Sequence, residues 1–562
     1  MIFFISAMQN IVKYVALLLL STAAMAQNIS SPKYEYRAVW LTTIENLDWP
    51  KKLIKTPSDT LAQQRELVNI LDSLQALNVN TVLLQTRVRG DVIYPSAIEP
   101  FSHVLTGVSG KNPGYDPLAF AIDECHKRGM QLHAWIVTLP LGKKEHIKRM
   151  GARSLTRTHR NLCTFYKDSW YMEPGNPATS DYICRIVQEI TANYNVDGIH
   201  LDYVRYPDRT VGYPDAKLHR THGKRLSLAA WRRANITNIA KRVYSTVKGI
   251  KPWVRVSCAP LGKYDDLTSY SSLGWNAHDA VFQEAQNWVR DGYMDILFPM
   301  LYFKGNNFYP FVLDWQENSH GRHIVPGIGI YRVLPEYGGW SPIEIKRQLF
   351  TSRSAGVAGT AMFRAEHVLN SESATAVYSS AYDKPALVPP LSWAEAPAPQ
   401  SPASLSVNRV GDSFNIAWAH VPSVDGHPAI RYNVYVAVGD TIDCENIDNL
   451  LCTTDETSFI WECRTKSAVS LAVTAVDAYG RESEPAVWSC ESGYPSPSPF
   501  ELLLPEPRTW GMRLAVYDVF GRCIHSGRYS TRVIVAGLPA GYYWLKVYGN
   551  DGRVVESRCF RR

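Results

Sequence analysis

Asp197-Gly-Ile-His-Leu-Asp-Tyr-Val-Arg-Tyr-Pro207 reads as a buried strand that ends in polar and aromatic side chains. Ile199 and Leu201 can fill a core, while Asp202, Tyr203 and Arg205 reach its edge. In a (β/α)₈ barrel the working groups sit at the C-terminal ends of the strands, and a carboxylate delivered there among tyrosines suits sugar chemistry. An Asp at a strand end also serves as a turn former or as the partner of a nearby Arg, here Arg205, so the surrounding sequence has to decide.

Working outward from that stretch, short β-rich apolar runs alternate with helical patterns from Arg37 to about Glu366. The runs are Arg37–Thr43, Thr81–Arg87, Gln131–Val137, Gly198–Asp202, Val254–Cys258, Asp295–Tyr302, Ile324–Ile330 and Val357–Phe363. Between them Asp59–Leu77, Pro117–Arg128, Asp181–Tyr194, Leu226–Val247 and Pro342–Ser354 carry apolar residues at helical spacing. Eight such alternations fit an α/β fold of the (β/α)₈ TIM-barrel kind over residues 33–383, with long loops after strands two to five; a doubly wound open sheet is the competing architecture.

The 562-residue chain is too long for one core. Its formal charge of +7 is mild for that length and comes without a long Lys/Arg run, which argues against a nucleic-acid partner. Residues 1–26 read as a signal peptide: Lys13 precedes the apolar run Tyr14–Leu20, and Ala24-Met-Ala26 gives a small-x-small cleavage pattern. The expected location is therefore outside the cytoplasm, in the periplasm or at the cell surface. None of the ten cysteines forms a zinc-like C-x₂-C pair, so neither structural metal nor cofactor is expected. Cys444, Cys452, Cys463 and Cys490 cluster in one later domain and Cys523 and Cys559 lie in the last, where disulfides are plausible with the pairing left open.

Pro and Ala accumulate over 384–402, as expected of a stiff linker. Residues 403–491 then alternate in period two, as in Phe414-Asn-Ile-Ala-Trp418 and Val469–Val476. This β-sandwich resembles a fibronectin type III module in its placement of Trp418, Tyr432 and Ala475-Val-Asp-x-x-Gly-x-Glu-Ser483. After a Pro/Ser-rich joint, residues 508–562 form a last β-rich unit. Its Leu538-Pro-Ala-Gly-Tyr542 turn resembles that of the C-terminal sorting domain of the type IX secretion system, which implies export machinery as a partner; a second accessory sandwich is the alternative.

Polar groups gather at the expected strand ends. Trp49 follows strand one; Arg87, Arg89, Asp91 and Tyr94 follow strand two; His133 and Trp135 lie on strand three; Tyr302 follows strand six, and Arg364, Glu366 and His367 follow strand eight. Carboxylates interleaved with rings suit a sugar, whose apolar faces stack while its hydroxyls seek hydrogen bonds. Glycosidases commonly use two carboxyl groups. Asp202 is the first candidate, Asp91 the favoured partner and Glu366 the next; Asp197 and Asp295 lie at strand beginnings, the stability face. Arg87, Tyr94, His133, Trp135, Tyr203, Arg205, Tyr302 and Trp49 are the candidate substrate contacts.

Six blocks in order also resemble the glycosyl-hydrolase-like family 10 domain: Arg37–Thr43 with Asn46–Pro50, Gln85–Asp91 with Tyr94–Ser96, Asp116–Leu118, His126–Gly129, His133–Trp135 and Asp197–Asp202. The resemblance, over about residues 33–370, implies a TIM barrel in exported bacterial proteins linked to hydrolysis of cell-wall glycan. Two departures stand out: Tyr203 replaces an acidic residue that many members carry after the position of Asp202, and Val137-Thr-Leu-Pro140 replaces an Asn-Pro-Tyr-Arg segment. The expectation is a secreted glycoside hydrolase acting on a bacterial polysaccharide, peptidoglycan glycan first. The rivals are a non-catalytic carbohydrate-binding barrel and a polysaccharide deacetylase, the latter wanting a metal site that no ligand spacing announces.

Overall fold

The computed structural model describes residues 31–562 except 209, 271–273, 411–412, 425, 463–467, 491–500, 505–511, 519–521, 530–531, 535–537, 539–541, 550–553 and 562. The expected signal peptide, Cys463 and Pro539–Gly541 of the sorting-like turn thus lie outside the described residues.

The apolar runs become the strands of one all-parallel sheet. Numbered along the chain, they are β1 (Tyr36–Leu41), β2 (Thr81–Arg87), β3 (Gln131–Val137), β7 (Gly198–Asp202), β8 (Arg255–Ala259), β9 (Ile296–Leu297), β10 (His323–Ile324), β11 (Gly327–Ile328) and β12 (Gly359–Met362). The numbers β4, β5 and β6 belong to Pro140–Lys143, Cys163–Tyr166 and Ser169–Met172, a small antiparallel sheet in the loop after β3. The parallel sheet has nine strands in the order β10-β9-β8-β7-β3-β2-β1-β12-β11. Its two outer members are pieces of one segment: only Val325-Pro326 separates them, β10 pairing with β9 and β11 with β12. Pro326 lacks an N–H and breaks the ladder, yet its carbonyl still accepts from Ala361 N at 3.0 Å, so the sheet curls back on itself in a TIM-barrel-like fold.

Strands buried on both faces need continuous apolar runs, and every residue of β1, β2, β3, β7 and β8 is buried. Inside the curl pack Tyr36, Trp40, Leu83, Trp135, Ile296 and Phe298; outside, Leu67, Ile122, Ile186 and Ile239 from the helices cover the sheet. Those helices start at sequence-coded caps. Asp59 Oδ2 accepts from Thr56 N at 2.8 Å ahead of helix Pro57–Ala76, and Asp116 accepts from Leu118 N and Ala119 N, each at 3.0 Å, at helix Pro117–Lys127.

The N-terminal ends of the strands are latched by carboxylates. Asp197 Oδ2 accepts from Leu132 N and meets His126 Nε2, both at 2.8 Å, and Asp295 pairs with Lys248 at 2.7 Å. Against this end sits a β-sandwich. One sheet holds strands Ser406–Val410, Ser413–Ala417 and Ser458–Glu462; the other holds Leu450–Thr454, Arg431–Val438, Val469–Val476 and Ala486–Cys490. Tyr34 Oη donates to Glu482 at 2.7 Å, and Arg255 donates to the carbonyls of Pro389 and Tyr479. The Pro-rich stretch expected as a linker is therefore partly packed: Leu391 is buried, and Trp393 lies 4.8 Å from His323 with the Arg322 guanidinium over its ring. Cys444, Cys452 and Cys523 carry free thiols, so the disulfides expected of them are not formed. Residues Arg513–Asp518, Cys523–Arg528, Tyr542–Tyr548 and Val554–Arg561 make a final four-stranded antiparallel sheet.

Candidate active site

The C-terminal ends of the strands carry a constellation centred on Asp202. Its position follows from strand alternation: His200 and Asp202, two apart on β7, face the same side, so His200 lies in the inner core and Asp202 one layer higher, at the mouth. His200 is held by Trp40 Nε1 at 3.1 Å and Ser257 Oγ at 2.9 Å. Asp202 is only 6% exposed. Its Oδ2 accepts from Trp135 Nε1 at 3.1 Å and its Oδ1 from Tyr203 N at 2.7 Å. Burial pushes its carboxyl up to about 6, against the lowering pull of the Arg205 charge, these two N–H donors and Arg89. At neutral pH such a group retains some of its proton.

Tyr203 adopts φ +55°, a left-handed conformation costly for a bulky side chain, and its ring emerges 40% exposed at the mouth. Arg205 lies under that ring, 4.7 Å from its centroid, and pairs with Asp208. Across the mouth a group of rings is built from the segments after β9, β11 and β12. Tyr302 lies 5.3 Å from Phe363 and 6.1 Å from Tyr331, which in turn meets Tyr337 at 5.3 Å and His367 at 5.9 Å. Gly329 makes that approach possible, since a Cβ there would stand 3.1 Å from Tyr302 Cβ and 3.2 Å from the Tyr331 ring. Glu366 stands on the same side, partly exposed, 2.7 Å from Arg364 and 3.5 Å from Lys51; although burial opposes it, the Arg364 hydrogen bond and charge keep the carboxyl below its ordinary value.

Several expected contacts are corrected by burial. Asp91 is fully buried, with Oδ1 accepting from Arg89 N at 3.0 Å, so it has no surface with which to meet a glycan. Arg87 is spent on an internal ion pair with Glu99 at 2.6 Å and on the Thr138 carbonyl. Tyr94 donates to Glu189 at 3.0 Å and Trp49 to the Gln63 carbonyl at 3.0 Å, both from the core. His133 is buried near the base of β3, where desolvation drives its imidazole down to about 3 and keeps it neutral. Trp135 is also buried; its indole orients Asp202 and offers no stacking face. Tyr203, Arg205, Tyr302 and Glu366 join Asp202 around the mouth. Phe363 and Tyr331 went unnoticed in the sequence because nothing local marks a ring after a strand as rim and not core. A cleft lined by His126, Asp197, Trp253, Arg431 and Glu482 opens at the opposite end, among the latches, away from these groups.

The profile of the family described as "Glycosyl hydrolase-like 10" matches residues 35–348. The glycosyl hydrolase YngK of Bacillus subtilis (strain 168) is 30% identical over 419 residues, covering 70% of this chain and 81% of that one. The glycosyl hydrolase DigH of Escherichia coli (strain K12) is 31% identical over 393 residues, covering 63% and 88%. Among solved structures, the α-L-fucosidase isoenzyme 2 of Paenibacillus thiaminolyticus matches with a TM-score of 0.43 at 18% identity, over 62% of this chain and 49% of that one. The glycoside hydrolase domain of PgaB (BpsB) from Bordetella bronchiseptica matches with a TM-score of 0.41 at 15% identity, over 62% and 98%.

Proposed function

Because this chain belongs to the glycosyl hydrolase-like 10 family, we propose that it is an exported glycoside hydrolase that cleaves a bacterial polysaccharide, peptidoglycan glycan strands first, with Asp202 as its general acid. The observation that carries this reading is the state of Asp202: a buried carboxyl at the mouth, oriented by Trp135 and pushed up to about 6, beside an exposed tyrosine ring. An acid of that strength is still partly protonated near neutrality and can hand its proton to a glycosidic oxygen as the C–O bond breaks. The second carboxylate in this scheme is Glu366, which Arg364 and Lys51 favour in its ionised form, as a nucleophile or a water-activating base requires. Tyr203 and the Tyr302–Tyr331 rings supply stacking faces, and Arg205 a donor for sugar hydroxyls. Export rests on the apolar leader of residues 1–26 and, in the same reading, on the sorting-like C-terminal unit.

The rival reading as a binding barrel draws on Tyr203, which stands where the family resemblance leads one to expect a second acid. The experiment that separates the two measures release of reducing ends from peptidoglycan glycan, with and without its stem peptides, by wild type, Asp202→Asn and Glu366→Gln. The enzyme reading expects turnover by wild type and a loss of several orders of magnitude in Asp202→Asn with glycan binding retained. Binding without release of reducing ends by wild type would establish the barrel as a lectin-like module. Full turnover by Asp202→Asn would discard this acid.

A further inference from the structure

Beside the mouth, three side chains that the proposed hydrolysis does not use converge from three segments. Asp91 follows β2, His103 opens the single turn His103–Thr106, and His146 lies on the helix Lys144–Met150 that follows β4. One ligand atom of each lies within 4.8 Å of the others. Asp91 Oδ2 is 4.0 Å from His103 Nδ1, and Asp91 Oδ1 is 3.9 Å from His146 Nε2. These separations are too long for hydrogen bonds. Oδ2 accepts no hydrogen bond at all, although Asp91 is 0% exposed. A carboxylate oxygen without a donor in the interior is costly, and an atom so placed calls for a cation.

We propose that Asp91, His103 and His146 form a binding site for a divalent transition-metal ion, zinc first, which ties the loop after β2 to the helix after β4. One carboxylate with two imidazoles is a donor set suited to zinc and its neighbours and poorly matched to magnesium or calcium, which take oxygen. Ligands at about 2.0–2.2 Å from a tetrahedral ion stand about 3.3–3.5 Å from each other, whereas the three atoms lie within 4.8 Å of one another, so binding draws them together by up to about 1.5 Å. His146 Nε2 donates to the Arg89 carbonyl at 3.1 Å, so its proton has to move to Nδ1 before Nε2 can ligate. Gly142 keeps the space open: a Cβ there would stand 3.2 Å both from Arg89 Cδ and from the His146 ring. The other His/Asp trio, Asp265, His278 and Asp279, is more exposed, and His278 Nδ1 there already meets Asp279 at 2.8 Å.

A second neighbour also opposes the ion. The exposed Arg149 guanidinium bonds to His103 Nε2, and its donation there holds the imidazole proton on Nδ1, the ligand atom. Metal binding moves that proton to Nε2 and displaces Arg149 into solvent. Removing the Arg149 charge should therefore tighten the site.

The test uses the full mature chain, dialysed against chelator, loaded with zinc chloride and passed through gel filtration before metal analysis, with thermal unfolding run in parallel. The expected result is one zinc retained per chain and a raised unfolding midpoint. His103→Ala and His146→Ala should each weaken zinc binding at least about 10-fold, and Arg149→Gln should strengthen it several-fold. Magnesium should leave the midpoint unchanged. His103 and His146 are only partly buried, so these variants fold even where Asp91→Asn does not. Wild type that keeps no zinc, or His103→Ala and His146→Ala that hold it as tightly as wild type, would overturn the site. Neither readout depends on glycan hydrolysis.

Discussion

The indole N–H of Trp135 donates to Oδ2 of Asp202 across 3.1 Å, joining the third strand to the carboxyl that the seventh strand delivers to the barrel mouth. That bond favours the ionised carboxylate, whereas burial favours the acid, and burial is the larger influence. Trp135→Phe keeps the ring bulk and removes the donor, so Asp202 should become a weaker acid. The high-pH limb of kcat/KM on glycan, expected near pH 6 in wild type, should move up by about 1 pH unit. A pH–rate profile with an unmoved limb would detach that limb from Asp202.

Asp202 should also cost the fold stability. Its folded value of about 6 lies above that of an unfolded aspartate, so the folded state holds the proton more tightly. Unfolding then releases a proton between about pH 4 and pH 6, and stability falls as pH rises through that window. Asp202→Asn cannot ionise. Relative to wild type it should gain up to about 3 kcal/mol between pH 4 and pH 7.5. Denaturant titrations at the two pH values that show no such relative gain would contradict the raised carboxyl.

Arg87 and Glu99 form a buried pair, each side chain 2% exposed. Arg87→Met leaves the Glu99 charge without its partner and should cost about 3–5 kcal/mol, while adding Glu99→Leu should recover most of it. Urea unfolding of the single and double variants tests this. A single variant that unfolds like wild type but binds glycan poorly would return Arg87 to the substrate contacts.

Tyr203 holds a left-handed backbone that glycine adopts freely, and its ring is the exposed face next to Asp202. Tyr203→Gly should leave the unfolding midpoint level with wild type or above it, because strain relief offsets the entropy of the freer chain. Glycan affinity should fall about 10-fold, in line with about 1.4 kcal/mol for a lost stacking ring. Calorimetry with soluble glycan fragments that finds unchanged affinity would remove Tyr203 from the binding surface.

How much of this was legible beforehand varies with the range of the interaction. Thr81–Arg87, Gln131–Val137 and Gly198–Asp202 were bounded as strands by the sequence pattern and have those bounds in the structure, because a strand buried on both faces must be apolar throughout. The run Asp295–Tyr302 keeps only Ile296–Leu297 as regular strand; beyond it the pairing continues as single parallel bridges of Met300 to Leu261 and to Gly327, and Tyr302 then turns to the rim. Asp202 was found from its own strand, where alternation alone sends it to the mouth.

The sequence by itself determined the alternating α/β architecture, the β-rich C-terminal region, the latching carboxylates Asp197 and Asp295, and Asp202 as the group at the end of its strand. Each follows from local periodicity or from position along one element. Only the tertiary structure decided that Asp91, Arg87, Tyr94, Trp49 and His133 are buried, that Glu366 stands at the rim between Arg364 and Lys51, and that His103 and His146 close on Asp91. Burial and partnership depend on residues tens to hundreds of positions away, brought together by the closing of the sheet. A carboxylate that reads the same along the chain becomes an acid, a latch or a candidate ligand according to what that closure places beside it.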